Sequence, residues 1–348
     1  MQLSFRTETL RLPLIAAPMF LASGPELVLA CCRAGIVGTL PAHNCRDGAG
    51  LASWLDTITS GLADGDTEGR DAAPYGINLV VHRSNEQLEE QLALIEKYRV
   101  PLVITSLGAA SRVVDTVHGY GGIVFHDVIS RRHAEKAAAA GVDGIVAVAA
   151  GAGGHTGGMN PFALLHEIRQ VFDGLLILSG SLSTGGDIAA AQAMGADLAY
   201  MGTRFIASRQ CRADQAYKEM ITTAEAADIV TTDSLTGVTA NFLRPSLDAG
   251  EAAAVDAAVD AANLGDELQQ GLNGDNSRRP WRDIWSAGHG VGSIDDIPAV
   301  ADLVMKLEAE YEAGLEHMAA RMAARKVTAH KTGRKMTGHK IDQAERQD

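Results

Sequence analysis

No stretch of 18 or more uninterrupted apolar residues occurs in this 348-residue chain, so nothing in it reads as a membrane span. Cysteine is scarce. Cys31, Cys32, Cys45 and Cys211 form no C-x-x-C pair and no Cys/His metal spacing, which speaks against a disulfide framework or a metal centre and suits reduced thiols in a cytoplasm, the expected compartment. Positive charge is also in deficit: 30 Lys and Arg against 43 Asp and Glu leave a net charge of −13, so nucleic acid is not an expected partner. A dinucleotide fingerprint is missing as well, because the glycines from Gly151 follow G-x-G-x-x-x-G and no acidic strand end follows about 20 residues later. The apolar run from Leu12 to Ala22 superficially resembles an export signal, but Pro13 and Pro18 interrupt it and Glu8 precedes it.

What the chain does have is 46% hydrophobic residues and a mean hydropathy near zero, enough for one large core or a core with an appendage. Short apolar runs alternate with amphipathic helical stretches. The runs are 14–18, 35–40, 75–81, 101–106, 122–128, 144–149, 175–179 and 198–201; helical candidates include 25–33, 51–62, 86–98, 109–117 and 131–140. Such alternation implies parallel strands with right-handed crossovers. Eight repeats close a (β/α)8 TIM barrel over residues 1–220, with a doubly wound open sheet as the other solution.

Two glycine clusters fall on strand-to-helix turns. Gly151-Ala152-Gly153-Gly154-His155-Thr156-Gly157-Gly158 follows the sixth run and precedes a helix capped by Asn160 with Pro161 in its first turn. Without Cβ atoms the turn lets a planar ligand approach the backbone. His155 is its one ionisable side chain, suited to proton transfer near neutral pH; the plainer reading is an exposed histidine on a connector. Gly180-Ser181-Leu182-Ser183-Thr184-Gly185-Gly186 follows the seventh run, and Gly202-Thr203-Arg204-Phe205 the eighth. Exposed amides after the last two strands make an anion site of the kind that holds phosphorylated cofactors in TIM barrels, unless these are merely tight βα connections.

Beyond residue 220 the pattern changes. An alanine-rich helix at 252–262, a loop at 272–277 and a long helix at 297–325 form a helical extension (221–325). Within it, 281–292 is a third cluster of Gly, His and aromatics, expected to return to the active site and carrying His289. Residues 326–348 read as a basic, disordered tail.

The chain resembles the nitronate monooxygenase family, formerly called 2-nitropropane dioxygenases. The residues that carry this run in order: Ala17-Pro18-Met19, Gly76-Ile77-Asn78-Leu79, Gly153-Gly154-His155-Thr156-Gly157, Ser179-Gly180, and Met201-Gly202-Thr203-Arg204-Phe205. The resemblance covers roughly residues 12–220 and implies an FMN-containing TIM barrel. It implies that Ala17, Pro18 and Met19 line the flavin ring, that Asn78 meets its polar edge with Asp127 nearby, and that Gly153 and Gly154 flank the ribityl chain. Ser179 and the amides of Gly180, Ser181, Gly202 and Thr203 would hold the phosphate, and His155 would be the catalytic histidine. His126, at the end of the fifth run, and His289 are further candidates for the site.

Three positions depart from some relatives. Asp127 stands where they carry a lysine, Val148 where they carry an acid, and Ser181 where they carry a second glycine. The first two alter the charge around the flavin; Ser181 can still donate to phosphate provided its φ stays negative. The stretch 45–73 has no evident role. The resemblance implies oxidation of an alkyl nitronate or nitroalkane by O2 to a carbonyl compound and nitrite, with His155 as base and a homodimer as the assembly to test. A nicotinamide-dependent flavin reductase, of quinone-reductase or enoyl-ACP-reductase type, is the alternative, and a non-catalytic flavin-binding module the third class. A negative charge on Asp127 disfavours an anionic second cofactor.

Overall fold

The computed structural model describes residues 7–64, 71–108, 110–248 and 279–344, with side chains through 325. Eight parallel strands close a barrel in chain order: β1 (Leu14–Ala16), β2 (Val37–Pro41), β3 (Tyr75–Val80), β4 (Leu102–Ser106), β5 (Ile123–Val128), β6 (Gly144–Val148), β8 (Leu175–Ser179) and β9 (Leu198–Met201). The ring shuts where β9 pairs with β1, Leu14 against Ala199 and Ala16 against Met201. The (β/α)8 expectation therefore holds, and the open sheet is excluded.

The crossover helices are α1 (Pro25–Arg33), α2 (Gly48–Ala63), α3 (Leu88–Lys97), α4 (Ser111–Gly119), α5 (Arg131–Ala139), α6 (Pro161–Arg169) and α7 (Gly185–Ala193). Local chemistry fixes several starts. Asp47 accepts from Gly50 N, Asn160 accepts from Phe162 N ahead of Pro161, and Thr184 with Asp187 forms a reciprocal capping box. The stretch 45–73, which has no role in the sequence reading, contains α2 and so serves as the crossover from β2 to β3.

Strand side chains alternate between two cores. Ile15, Val37, Leu102, Ile104, Phe125, Val146, Ile177 and Leu198 plug the barrel interior. Outward residues such as Leu40, Ile77, Val103, Val124, Ile145, Leu176 and Leu178 pack beneath the helices.

After β9 come α8 (Thr203–Ile206) and α9 (Gln215–Thr223). A small antiparallel sheet then joins β10 (Ile229–Thr232) and β11 (Ala240–Leu243) to β7 (Gly154–His155), inside the first glycine cluster. The cluster is thus not wholly a loop. A short α10 (Arg244–Asp248) follows; the expected helix at 252–262 and loop at 272–277 lie outside the described residues. The final helix α11 (Val300–Ala344) packs against α7 and α1, with Val300, Leu303, Val304 and Leu307 buried. It fills the eighth place in the helix ring, so the boundary expected at 220 does not separate barrel from appendage. It also runs past Arg325 through the stretch expected to be disordered. That stretch holds no proline, and extending a docked helix needs no new nucleus.

One buried cation tethers this return. Arg204 on α8 is 2% exposed; its Nη1 meets Asp296 Oδ1 at 2.9 Å, and its Nη2 donates to the carbonyls of Asp296 and Ala207. Asp296→Ala leaves that guanidinium buried without its counter-charge and is expected to cost about 2 kcal/mol, below the range for a fully buried pair because Asp296 is partly exposed. Denaturant unfolding checks this as a lower midpoint at unchanged slope; an unmoved midpoint would show that the two carbonyls suffice.

Candidate active site

At the C-terminal ends of the strands lies a cavity of about 260 Å³. Its floor is the last inward layer of the barrel: Ala17 after β1, Asn78 on β3, Ser106 on β4, Asp127 on β5, Val148 on β6, Ser179 on β8 and Tyr200 on β9. Pro18, Met19 and Phe20 form one wall, and Gly151 to His155 another. Gly180 to Ser183 and Gly202-Thr203 form the third. The mouth is faced by Tyr217, Trp281 and Ser286, all beyond the barrel strands.

Thirteen sequence-predicted residues therefore surround one cavity: Ala17, Pro18, Met19, Asn78, Asp127, Gly153, Gly154, His155, Ser179, Gly180, Ser181, Gly202 and Thr203. Two others do not line it. His126 lies between inward Phe125 and Asp127, so the strand period turns its ring outward, where Nδ1 pairs with Thr105 Oγ1 at 2.7 Å. His289 lies behind Gly151, packed on the backbone that forms the wall.

The floor carries a polar chain. Asn78 Nδ2 donates to Ile104 O (3.1 Å) and to Ser106 Oγ (2.7 Å), and Ser106 Oγ donates to Asp127 Oδ2 at 2.5 Å. Asp127 Oδ1 is buried with no partner. Burial raises the acid to about 6, opposed by the Ser106 hydrogen bond. The fixed negative charge expected at this position is accordingly a group that titrates near neutrality. Among the described lining residues there is no lysine or arginine.

His155 is clamped from outside the barrel. On β7 it pairs with Ala240 of β11, while Asn241 donates to Ala152 O at 2.7 Å and itself accepts from Thr231 Oγ1. Trp281 stands edge-on to the imidazole, centroids 5.2 Å apart at 78°, and packs on Phe242. The residue is half-buried as a whole, yet its Nε2 is shielded from solvent, and this desolvation lowers the pKa to about 4. The ring is neutral at pH 7.

The opposite end presents amides. Those of Gly180, Gly202 and Thr203 donate to no acceptor among the described residues, and Ser183 Oγ is buried without a partner. Ser181 behaves differently from the sequence expectation. Its φ is +60°, and its amide donates to Gly151 O at 3.2 Å. The serine thus occupies the left-handed region that favours glycine, and its amide is spent on the neighbouring loop rather than offered to a ligand. The glycines also differ from expectation in part: a Cβ at Gly151, whose φ is +88°, would strike Ser181 Oγ and His289 Nδ1. Loop against loop, not ligand against loop, demands that glycine.

Sequence reasoning missed Ser106, Tyr200, Ser183 and Tyr217, whereas Trp281 and Ser286 belong to the 281–292 cluster it expected at the site. Ser106 and Tyr200 were legible from strand alternation, being the inward positions in register with the top of their neighbours. Tyr217 arrives through long-range packing that no local pattern signals.

A family model described as nitronate monooxygenase matches residues 62–310. A nitronate monooxygenase of Paraburkholderia phytofirmans is 26% identical over 88% of this chain and 94% of its own length. An octahydro-indene carboxyl-CoA dehydrogenase of Rhodococcus jostii is 28% identical over 57% of this chain, which spans about half (53%) of that protein; a Mycobacterium tuberculosis relative is likewise covered to 44%. Among solved structures, FabK of Thermotoga maritima superposes with a TM-score of 0.75 at 23% identity, over 90% of this chain and 98% of that one.

Trp281→Ala opens one edge of the His155 ring to water. The imidazole pKa, followed by proton NMR, is expected to rise from about 4 toward the ordinary value near 6.5. No rise would assign the desolvation to the glycine wall instead.

Proposed function

The chain belongs to the nitronate monooxygenase family, and from that premise we propose that it is an FMN-dependent oxidoreductase converting small alkyl nitronates and O2 to a carbonyl compound and nitrite. The observation that carries this reading is the cavity itself, where a neutral histidine, a polar barrel floor and a set of unpartnered amides face one another. Family membership implies a flavin, and the donor set suits the phosphorylated mononucleotide. Gly180, Gly202 and Thr203 amides with Ser183 Oγ would hold the phosphate by hydrogen bonds alone, there being no cation on the described lining. Ala17, Pro18 and Met19 would line the ring, with Asn78 and Asp127 beside its polar edge and Gly153, Gly154 and Ser179 along the rest. When bound, the flavin supplies the electron acceptance and oxygen chemistry.

The chain's own part is to orient the substrate and move a proton. His155, unprotonated above pH about 4, can take the α-proton of a neutral nitroalkane or hydrogen-bond a nitronate oxygen. A base of such low pKa has little driving force for carbon deprotonation, which favours the pre-formed nitronate as substrate. Trp281, Tyr217, Phe20 and Ile206 give the substrate side an apolar, aromatic face suited to alkyl groups.

The second reading is a nicotinamide-linked flavin reductase or dehydrogenase, favoured by the Rhodococcus jostii relative named as a CoA-ester dehydrogenase at comparable identity. Fold likeness does not choose between them. Nitrite release and oxygen uptake with propyl nitronates, run beside NADH and NADPH oxidation with quinones and enoyl thioesters, separate the two. Nitrite without nicotinamide use is expected; nicotinamide-driven reduction without nitrite overturns the proposal. His155→Asn is expected to keep the flavin while lowering kcat/KM on neutral nitroalkane by roughly 10²–10⁴, with a smaller loss on nitronate. The wild-type kcat/KM should hold level as pH falls toward 5 and drop only near 4, where His155 gains its proton. Undiminished turnover of both substrates by the variant would remove His155 from the mechanism.

A further inference from the structure

Asp127 is the one carboxylate among the described residues lining the cavity, and its surroundings give it half of what an ionised carboxylate needs. Oδ2 receives the Ser106 hydroxyl proton at 2.5 Å. Ser106 Oγ is itself the acceptor of Asn78 Nδ2 at 2.7 Å, so the direction of the chain is set and its single hydroxyl proton is committed. Oδ1 is buried and receives nothing. The elements around it offer no charge to offset an anion. Val146 of β6 is its register partner on one side and Ser106 of β4 bonds it on the other, with Asn78 beyond on β3. Tyr200 on β9 feels it, its phenol pushed up by burial and by Asp127, and the other titratable groups lining the cavity are neutral His155 on β7 and Tyr217. A carboxylate oxygen in such a place must gain a donor from a ligand or carry a proton of its own.

We propose that Asp127 acts as a neutral acid toward the bound flavin, holding a proton on Oδ1 and donating it to an acceptor atom of the ring system, so that flavin binding requires this proton. The proposal deepens the flavin reading above and rests on it. Seating a ring over the floor removes the remaining water from the carboxyl group and, in FMN, brings a phosphate anion into a cavity with no described cation. Both favour the uncharged acid. Ser106, donating to Oδ2, leaves Oδ1 as the oxygen that bears the proton.

The linkage sign is definite. The free protein's acid titrates near 6, and the complex holds the proton to higher pH; affinity is therefore full below about 6 and falls, by up to tenfold per pH unit, as pH rises above it. The test is equilibrium binding of riboflavin to the full-length flavin-free chain from pH 5 to 8.5. Riboflavin lacks the phosphate whose own protonation would imitate the effect; FMN is measured in parallel, with proton uptake read by calorimetry in two buffers of different ionisation enthalpy. Wild type is expected to weaken with rising pH above about 6 and to take up close to one proton per riboflavin at pH 7.5. Asp127→Asn, an uncharged donor of the same shape, is expected to bind with a flat pH profile near the wild-type low-pH affinity. Affinity that tightens as pH rises means an ionised Asp127 accepting from a ring N–H, and a flat wild-type profile means that binding does not depend on the Asp127 proton; either overturns the proposal. So does an Asp127→Asn variant that keeps the wild-type slope. Absence of any flavin binding by folded wild type at every pH sinks the flavin reading itself, and is distinguishable because no profile is then obtained.

Discussion

A single backbone carbonyl organises this site. Gly151 O accepts the amides of Ser181 at 3.2 Å and His289 at 2.9 Å, joining the loop after β6, the loop after β8 and the segment that returns before α11. Two such hydrogen bonds contribute only about 2 kcal/mol together, but they fix where three chain segments run. Ser181 takes its left-handed φ in the same turn that aims its amide at Gly151. Gly288 comes so close that a side chain there would run into Gly151 O and Gly153 N, and its own amide donates to Thr203 Oγ1 at 2.9 Å. The fourth loop is drawn in by that bond. The cavity is the space left among loops that hold one another.

Beneath it, the barrel changes character within one layer. Phe125, Ile104, Val146 and Ile177 make an apolar plug, and one strand period higher Asp127, Ser106, Val148 and Ser179 face the cavity. Polar groups in a barrel interior are costly unless paired. Asn78 and Ser106 are paired; Asp127 Oδ1 and Ser183 Oγ are not. The positive-φ residues Ser181 and Trp281 border the same space. Leu21, Arg99 and Leu107, and the buried atoms His43 Nδ1, Tyr75 OH and Arg204 Nε, belong to residues that do not line the cavity, but backbone strain and unpaired polar atoms bordering one cavity are what a ligand-completed site leaves behind.

The barrel was legible because its signals are local. Each strand is a short apolar run, and the eight runs match the eight strands to within a residue or two at most ends. The Asn160-Pro161 helix start follows from capping chemistry alone. Both glycine walls were found the same way, through clusters at strand ends, whereas Ala17, Asn78 and Asp127 of the floor came only from the family resemblance and Ser106 and Tyr200 were missed. What failed to show had a physical reason each time. His126 was misplaced by ignoring the period of two that sends Phe125 and Asp127 inward. Ser181 was judged by its chemistry when its φ was set by Gly151. The pairing of β7 with β11 spans some 85 residues, and nothing in Gly154-His155 announces a partner. The seat of α11 between α7 and α1 is equally remote from its own sequence.

The segment between β9 and α11 therefore does three jobs with one path. Its hairpin pairs with β7 and fixes His155, Trp281 and Tyr217 from the same segment face the cavity mouth, and its far end delivers the helix that completes the ring. Strand ends supply the floor and the amides, which any ligand of the site must meet. The mouth is supplied from elsewhere. Changes at Tyr217, Trp281 or Ser286 can reshape the cavity mouth without disturbing barrel register, because none of them lies on a barrel strand. Changes at Asn241 cannot do so as freely, since that residue is buried and its amide holds Ala152 O beside the catalytic candidate. Side chains that face the cavity and side chains that hold His155 in place are thus different residues of one segment, the first exposed to the cavity and the second locked behind it.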